Sequence, residues 1–270
     1  MTTRQKDFVH ISHEPVLDII QGSRPDMTNK EVEGVSSSLS SGVDKCVWTE
    51  DAIFSYTRNS NESNLHIVST STDDAAAGVG ARTILVEGLK HSNVGGVHQY
   101  NVVSETITLN GTSNVNLVEN YYRILKLSVA TAGNNALNQG NIKVFDPTGG
   151  AVFGSMAAGD NTSNQAVISP STGNDILLEK IHVMGHFETP VEIKVNIYEE
   201  SKQLQKTIYK FFGSSNGNEF SLNVRKKLIA GDTLWVSVNP LAAVTGSHNR
   251  VAVLLEGTEK SKSVIIPSLV

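Results

Sequence analysis

From residue 46 to about residue 256 the chain is a succession of short apolar runs, each stopped by a cluster of Gly, Asn, Asp, Ser or Pro. No stretch there carries the i, i+3, i+4 spacing of a long amphipathic helix, so backbone hydrogen bonds must close between strands. Residues 191–198 (VEIKVNIY) show the pattern best. Val191, Ile193, Val195 and Ile197 fall on one side, and Glu192, Lys194, Asn196 and Tyr198 on the other. That alternation predicts a strand with one buried and one wet face. Residues 122–130 alternate in the same way, with Ile124, Lys126 and Ser128 opposing Leu125, Leu127 and Val129. Residues 47–56 alternate weakly, and further strands are expected at 64–71, 83–89, 100–109, 141–145, 166–169, 175–184, 205–212, 219–224, 233–238 and 250–256. Strands alternate with turns and not with helices, which argues against a parallel α/β fold.

The expected fold class is therefore all-β, an antiparallel β-sandwich of jelly-roll-like or related Greek-key build. At 270 residues there is enough chain for one large sandwich or two smaller ones. Hydrophobic residues make up only 39% and charged residues 18%, and Ser, Thr, Asn and Gly fill the difference. The sandwich is placed at 46–258, with a subdivision near 147–165 as an option because FDPTGGAVFGSMAAGDNTSN is rich in turn residues. A tail follows at 259–270.

Residues 1–45 read differently. An apolar cluster in residues 7–21 is divided by Pro15, and then GSRPDMTNKEVEGVSSSLSSG is too rich in Ser, Gly and charge to bury much surface. The segment reads as an extended N-terminal arm or linker, with Phe8, Ile11, Leu17 and Ile20 as candidate anchors on a neighbouring subunit. Its opening, MTTRQKDFVHISHEP, is too polar for a secretory signal, and no apolar run approaches the roughly 18 residues needed to cross a bilayer as a helix. The expectation is a protein made in a reducing cytoplasm, with no membrane partner. A net charge of −5 disfavours a nucleic-acid partner.

Reactive chemistry finds little footing in the sequence. Cys46 is the only cysteine, which excludes an intrachain disulfide and reads as a buried thiol. His10 and His13, and His182 and His186, have spacings that invite a metal, but in a strand residues four apart lie about 13 Å from each other. The second pair works as a chelate only if Gly185 breaks its strand. His66, His91, His98 and His248 read as surface or turn residues. Asp146, Asp160, Asp175 and Asp232 sit at turns, where a structural calcium is the alternative to simple turn formation. Gly78-Val79-Gly80 lacks the third glycine of a dinucleotide loop, and no P-loop, G-x-S-x-G or HExxH occurs. No catalytic residue, metal ligand or cofactor is assigned. The basic run Arg225-Lys226-Lys227 reads as a solvated turn between strands or as a contact for an acidic neighbour.

One stretch is more specific. Residues 68–132 read VSTSTDDAAAGVGARTILVEGLK, then VSETITLNGTSNVNL, then YRILKLSVATAG. This resembles a module of tailed-bacteriophage virion proteins, also met in structural proteins of other large double-stranded DNA viruses. The matching residues are Asp74, Ala76, Gly78, Gly80, Ala81, Arg82, Thr83, Gly88, Leu89, Ser104, Glu105, Thr106, Thr108, Leu109, Asn110, Gly111, Thr112, Thr131, Ala132 and Gly133. A weaker likeness continues to about residue 257. Residues 90–99 (KHSNVGGVHQ) depart from it as an enlarged loop. On the residues alone, Gly78 and Gly80 are expected to supply unusual backbone angles, Arg82 to pair with Glu105 or Asp74, and Asn110-Gly111 to close a hairpin.

The resemblance implies a non-enzymatic virion structural protein, a head-surface (minor capsid or decoration) subunit, acting by assembly with itself and with other virion proteins. A homo-oligomer, trimer or ring, goes with that reading. The alternative is a neck, tail or fibre subunit, including a lectin-like module for a host glycan, which would present aromatics such as Trp235 or Tyr121. A third, a glycan-cleaving enzyme, would need two carboxylates about 5–10 Å apart in a groove.

Overall fold

The computed structural model describes residues 26–36, 45–48, 65–187, 189–213, 218–242 and 250–262. Within them the protein is all-β, with sixteen strands, antiparallel pairing throughout, one 3-10 turn at Glu200–Lys202 and no α-helix. The arm anchors Phe8, Ile11, Leu17 and Ile20, and His10, His13 and His248, lie outside the described residues.

Eight strands build a jelly roll: β1 (Met27–Ser36), β10 (Val167–Ile168), β11 (Asn174–His186), β12 (Val191–Glu199), β13 (Leu204–Gly213), β14 (Asn218–Leu228), β15 (Thr233–Pro240) and β16 (Arg250–Ser261). One sheet runs β1-β16-β11-β14 and the other β10-β15-β12-β13, with the two-residue β2 (Lys45–Cys46) also paired to β15. Counted along the chain, the first strand pairs with the eighth, the second with the seventh, the third with the sixth and the fourth with the fifth. This is one long hairpin wound into two facing sheets, the jelly-roll topology. Its core is the set of inward residues that alternation predicts, among them Val191, Ile193, Val195 and Ile197 on β12, Val236 and Val238 on β15, and Val251, Val253 and Leu255 on β16.

The remaining strands form a second sandwich inserted between the first two strands of that hairpin. They are β3 (His66–Ser69), β4 (Ala81–Val94), β5 (Val97–Thr108), β6 (Val115–Asn116), β7 (Arg123–Ala132), β8 (Ile142–Phe145) and β9 (Val152–Met156). Its sheets run β6-β3-β8-β9 and β5-β4-β7, around Leu65, Ile67, Ile84, Val86, Ile124, Leu127, Ile142 and Phe153. The chain passes from one core to the other at residues 163–166, where Ser163 binds the inserted unit through Leu127 and Ala166 binds Val47.

Several expectations change. Residues 27–36, read as linker, form a full strand against β16. The edge position explains the composition, because an edge strand needs apolar residues only where it meets a core, here Val32 and the segment to Ser36. Residues 259–261, read as tail, continue β16. In β7 the strict alternation fails, because a register shift between Glu87 and Gly88 leaves Leu125 unpaired, and Ile124 and Leu127 both enter the core. Tyr198 and Asn196 are not on a wet face. The inserted sandwich packs on that side through Val152 and Phe145, against Tyr198, Trp235, Val167, Cys46 and Trp48. Burial in this layer pushes the Cys46 thiol up and keeps it inert.

Candidate functional site

The residues of the resembling module are internal braces. Asp74 is fully buried, and its carboxyl accepts from Ser69 Oγ at 2.6 Å, Ala81 N at 2.8 Å, Gln139 N at 2.9 Å and Gly140 N at 2.8 Å. It ties the end of β3 and the start of β4 to Gln139 and Gly140, whose amides precede β8 and have no ladder of their own. Gly78 and Gly80 adopt no left-handed angle. They are needed for closeness instead, since a Cβ on Gly78 would lie 2.0 Å from the Asp73 carbonyl and one on Gly80 2.2 Å from Asp74 Oδ1. Arg82 Nε donates to the Gly78 carbonyl at 3.0 Å, rather than pairing with Glu105 or Asp74. Asn110-Gly111 closes no strand hairpin, because it carries the chain from β5 across to β6 in the other sheet.

A polar clasp joins the two sandwiches. Tyr122 and Arg123 enter it from the start of β7. The Tyr122 hydroxyl lies 3.0 Å from Glu200 Oε2 and 2.9 Å from the Gly231 carbonyl. The buried Arg123 guanidinium lies over the Tyr122 ring at 4.2 Å and donates to Thr233 Oγ1 and to the Tyr122 carbonyl, each at 2.9 Å. Asp232 accepts from the amides of Ile229 and Glu200, and burial raises its carboxyl pKa. Burial also drives the Tyr122 phenol up, the opposite of what a general base or nucleophile needs. Tyr100 exchanges hydrogen bonds with Thr172 and packs on Tyr122. The arrangement fixes one sandwich against the other.

Residues 90–99 are not a loop but the outer part of a long hairpin. β7 pairs with β4 only as far as Leu89, so beyond it β4 and β5 continue as a two-stranded ribbon. Gly95 and Gly96 make its tip with φ of 61° and 84°, the left-handed pair of a two-residue hairpin turn. Val94 and Val97 are exposed there, and His91 Nε2 meets His98 Nδ1 at 2.8 Å.

Beside this sheet lies a groove of about 440 Å³ between β1 and the inserted unit. Its walls include Val32, Val102 and Leu125, with Glu31, Glu33 and Glu87 among the polar residues. Arg225, Lys226 and Lys227 are part of β14 and not a turn. Lys226 reaches Glu199 at 3.4 Å and Lys227 reaches Asp175 at 2.8 Å. Glu199 also takes Lys202, at 2.7 Å, and Lys206. Hydrogen bonds from Lys202 and Lys206 hold the Glu199 carboxyl at about 2. Glu192 does the same with Lys210 and Lys194, and its carboxyl is also held below its ordinary value.

β11 runs unbroken through Gly185, so His182 and His186 cannot share an ion, and His182 faces Glu256 at 3.4 Å. Among the described residues no group of three His, Cys, Asp or Glu side chains is placed to hold a metal. Asp146 serves its turn by accepting from Thr148 N. Trp235 and Tyr121, the aromatics a glycan platform would present, are buried.

No protein-family model and no curated protein sequence matches the chain. Among solved structures, murine APRIL at pH 8.5 aligns with a TM-score of 0.21 and 12% identity, over 64% of this chain and 98% of that one. The structure of infectious bursal disease virus, Gt strain, aligns with a TM-score of 0.17 and 9% identity, over 89% of this chain and 76% of that one. The VP2 subviral particle of infectious bursal disease virus follows at 0.14 and 10%, over 87% and 80%. Likenesses of this size carry no argument, and the architecture rests on the strand pairings.

Proposed function

We propose that the chain is a non-enzymatic structural subunit of a virus particle, acting through protein–protein assembly, at the head surface in preference to the neck, tail or fibre. The observation that carries this reading is the distribution of surfaces. The module residues brace the inserted sandwich from within, and the clasp holds the two sandwiches in one orientation. The exposed apolar residues Val94, Val97, Val102, Met184 and Phe212 lie on a projecting ribbon and on sheet faces, where neighbours can meet them. The virion placement draws on the resemblance of residues 68–132, which fall within the inserted sandwich. The lectin-like alternative loses its aromatic platform with the burial of Trp235 and Tyr121.

The test is localisation on purified particles with an antibody against this chain. Labelling in regular array on the particle surface is the expected result. A chain absent from particles and turning over a small molecule by itself in solution would overturn the proposal.

A further inference from the structure

Two surfaces of opposite charge stand on the jelly roll, and each is organised beyond what its own stability needs. The first lies at one end, where β12 and β14 finish and β11 begins. Glu199, with 9% of its side chain exposed, sits beneath Lys202, Lys206 and Lys226, and Asp175 sits beneath Lys227 and Lys262 at 2.8 and 3.0 Å. Val224 and Leu228 point into the core, and Lys226 between them escapes at the rim to reach the facing sheet. Arg225 is exposed on the same strand. At this surface six cations meet two carboxylates, a surplus of four on a chain of net −5, so the rest of the molecule sums to −9. Glu200 and Asp232 lie close by but are buried in the clasp. The sunken carboxylates hold the lysines in place, so little side-chain freedom remains to be lost on meeting an anion.

The second surface crosses β1 and β16. Glu31 stands directly opposite Glu256 in the ladder, a like-charge pair that costs stability. Glu33 is two residues along the edge strand, and Glu87 lines the same groove from the inserted unit. The cations near them are Lys30, which pairs with Glu259 at 3.5 Å, Lys126 opposite Glu87, and Lys180 and His182 beside Glu256. Glu31 and Glu33 form no ion pair among the described residues, and both are exposed.

We infer that the lysine-bearing end of one copy docks on the glutamate strip of a second copy. Resting on the assembly reading above, this names the partner: the same chain, joined through two different patches. Such a contact is heterologous and propagates into a ring or a row rather than closing as a two-fold dimer. Complementary charge of this kind steers association and fixes its register.

The full-length chain, followed by sedimentation velocity, tests it. Raising salt from about 0.05 M to about 0.5 M shortens the screening length severalfold, so the self-association constant should fall at least tenfold. The variant Arg225→Glu/Lys227→Glu and the variant Glu31→Lys/Glu33→Lys should each stay monomeric with an unchanged far-ultraviolet circular dichroism spectrum. Mixed in equal amounts they should associate again, because the intact glutamate strip of the first variant meets the intact lysine-bearing end of the second. Arg225→Glu alone, at an exposed position, serves if the double variant does not fold. Association indifferent to salt and to both variants, or no recovery on mixing, overturns this contact and leaves the assembly reading standing. A chain monomeric at every concentration and salt likewise overturns this contact, whereas the assembly reading falls only if the chain is absent from particles.

Discussion

Replacing Asp74 with alanine should unfold the inserted sandwich and leave the jelly roll folded. The carboxyl accepts four hydrogen bonds, three of them from the backbone amides of Ala81, Gln139 and Gly140. Alanine keeps none, and a buried amide left without an acceptor costs about 1–3 kcal/mol. Three such losses come to about 5 kcal/mol, comparable with the whole stability of a domain of about 100 residues. Asparagine is the graded control. Its Oδ1 keeps Ala81 and Gln139, while Nδ2 turns a donor toward the Gly140 amide, for a loss of about 2 kcal/mol. With each kcal/mol worth about 4–8 °C in a domain of this size, alanine should lower the melting point of the inserted unit by about 20 °C or more and asparagine by about 10 °C. The jelly roll should survive, because an unfolded insert lengthens one connection and loop closure grows only slowly with length. Thermal melts in the tyrosine near-ultraviolet band, with hydrogen exchange resolved over residues 65–163, read the two units separately. Equal melting points for the two variants, or a drop under about 5 °C for alanine, would refute the hub.

Arg123→Met should cost about 3 kcal/mol, since Thr233 and the Tyr122 carbonyl lose a buried charged donor, and hydrogen exchange should rise at Tyr122 and Thr233 before either core opens. Stability should fall as pH drops from about 4.5 toward 2: Glu199 is held at about 2 against an ordinary 4.5, so the unfolded chain takes up its proton first. Exposure of the lysines limits that contribution to about 1 kcal/mol, and Glu199→Gln should flatten this part of a urea-denaturation profile taken between pH 5 and pH 3. Removing residues 1–40 deletes β1, bares the β16 edge and should send the protein to the pellet on a solubility assay.

What was legible in the sequence follows from where each segment meets a core. Alternation announced β12 because Val191 to Ile197 face one core along their whole length. It missed β1 because MTNKEVEGVS carries three charged residues on an edge strand and touches the core mainly through Val32. It missed the ribbon of β4 and β5 because residues 90–99 have no core to face. The signal was nonetheless present as Gly95-Gly96 between two valines, a two-residue hairpin turn. The basic run looked like a turn because Arg225 and Lys227 are exposed and Lys226 leaves through the rim, so only Val224 and Leu228 betray the strand. The glycines at 78 and 80 were expected to supply unusual backbone angles and do not; what they allow, close approach to Asp73 and Asp74, depends on contacts that spacing does not encode. The clasp was invisible for the same reason, since Tyr122 and Glu200 are 78 residues apart.

The insertion gives the jelly roll two unlike faces. A hairpin wound into two sheets tolerates a long detour between its first and second strands, because β1 is secured by β16 and β10 by β15, and neither pairing needs the connection to be short. The detour returns to cover the outside of one sheet, where Val152 and Phe145 meet Trp48, Trp235 and Tyr198. The other sheet, β1-β16-β11-β14, keeps Leu177 and Met184 exposed beside the glutamate strip. One face is thus sealed by the chain itself, and the opposite face combines exposed apolar side chains with unneutralised charge. Burying an apolar residue on a neighbour while matching its charged rim is how a specific contact gains both affinity and register. The bare sheet is therefore the face on which a second copy should dock.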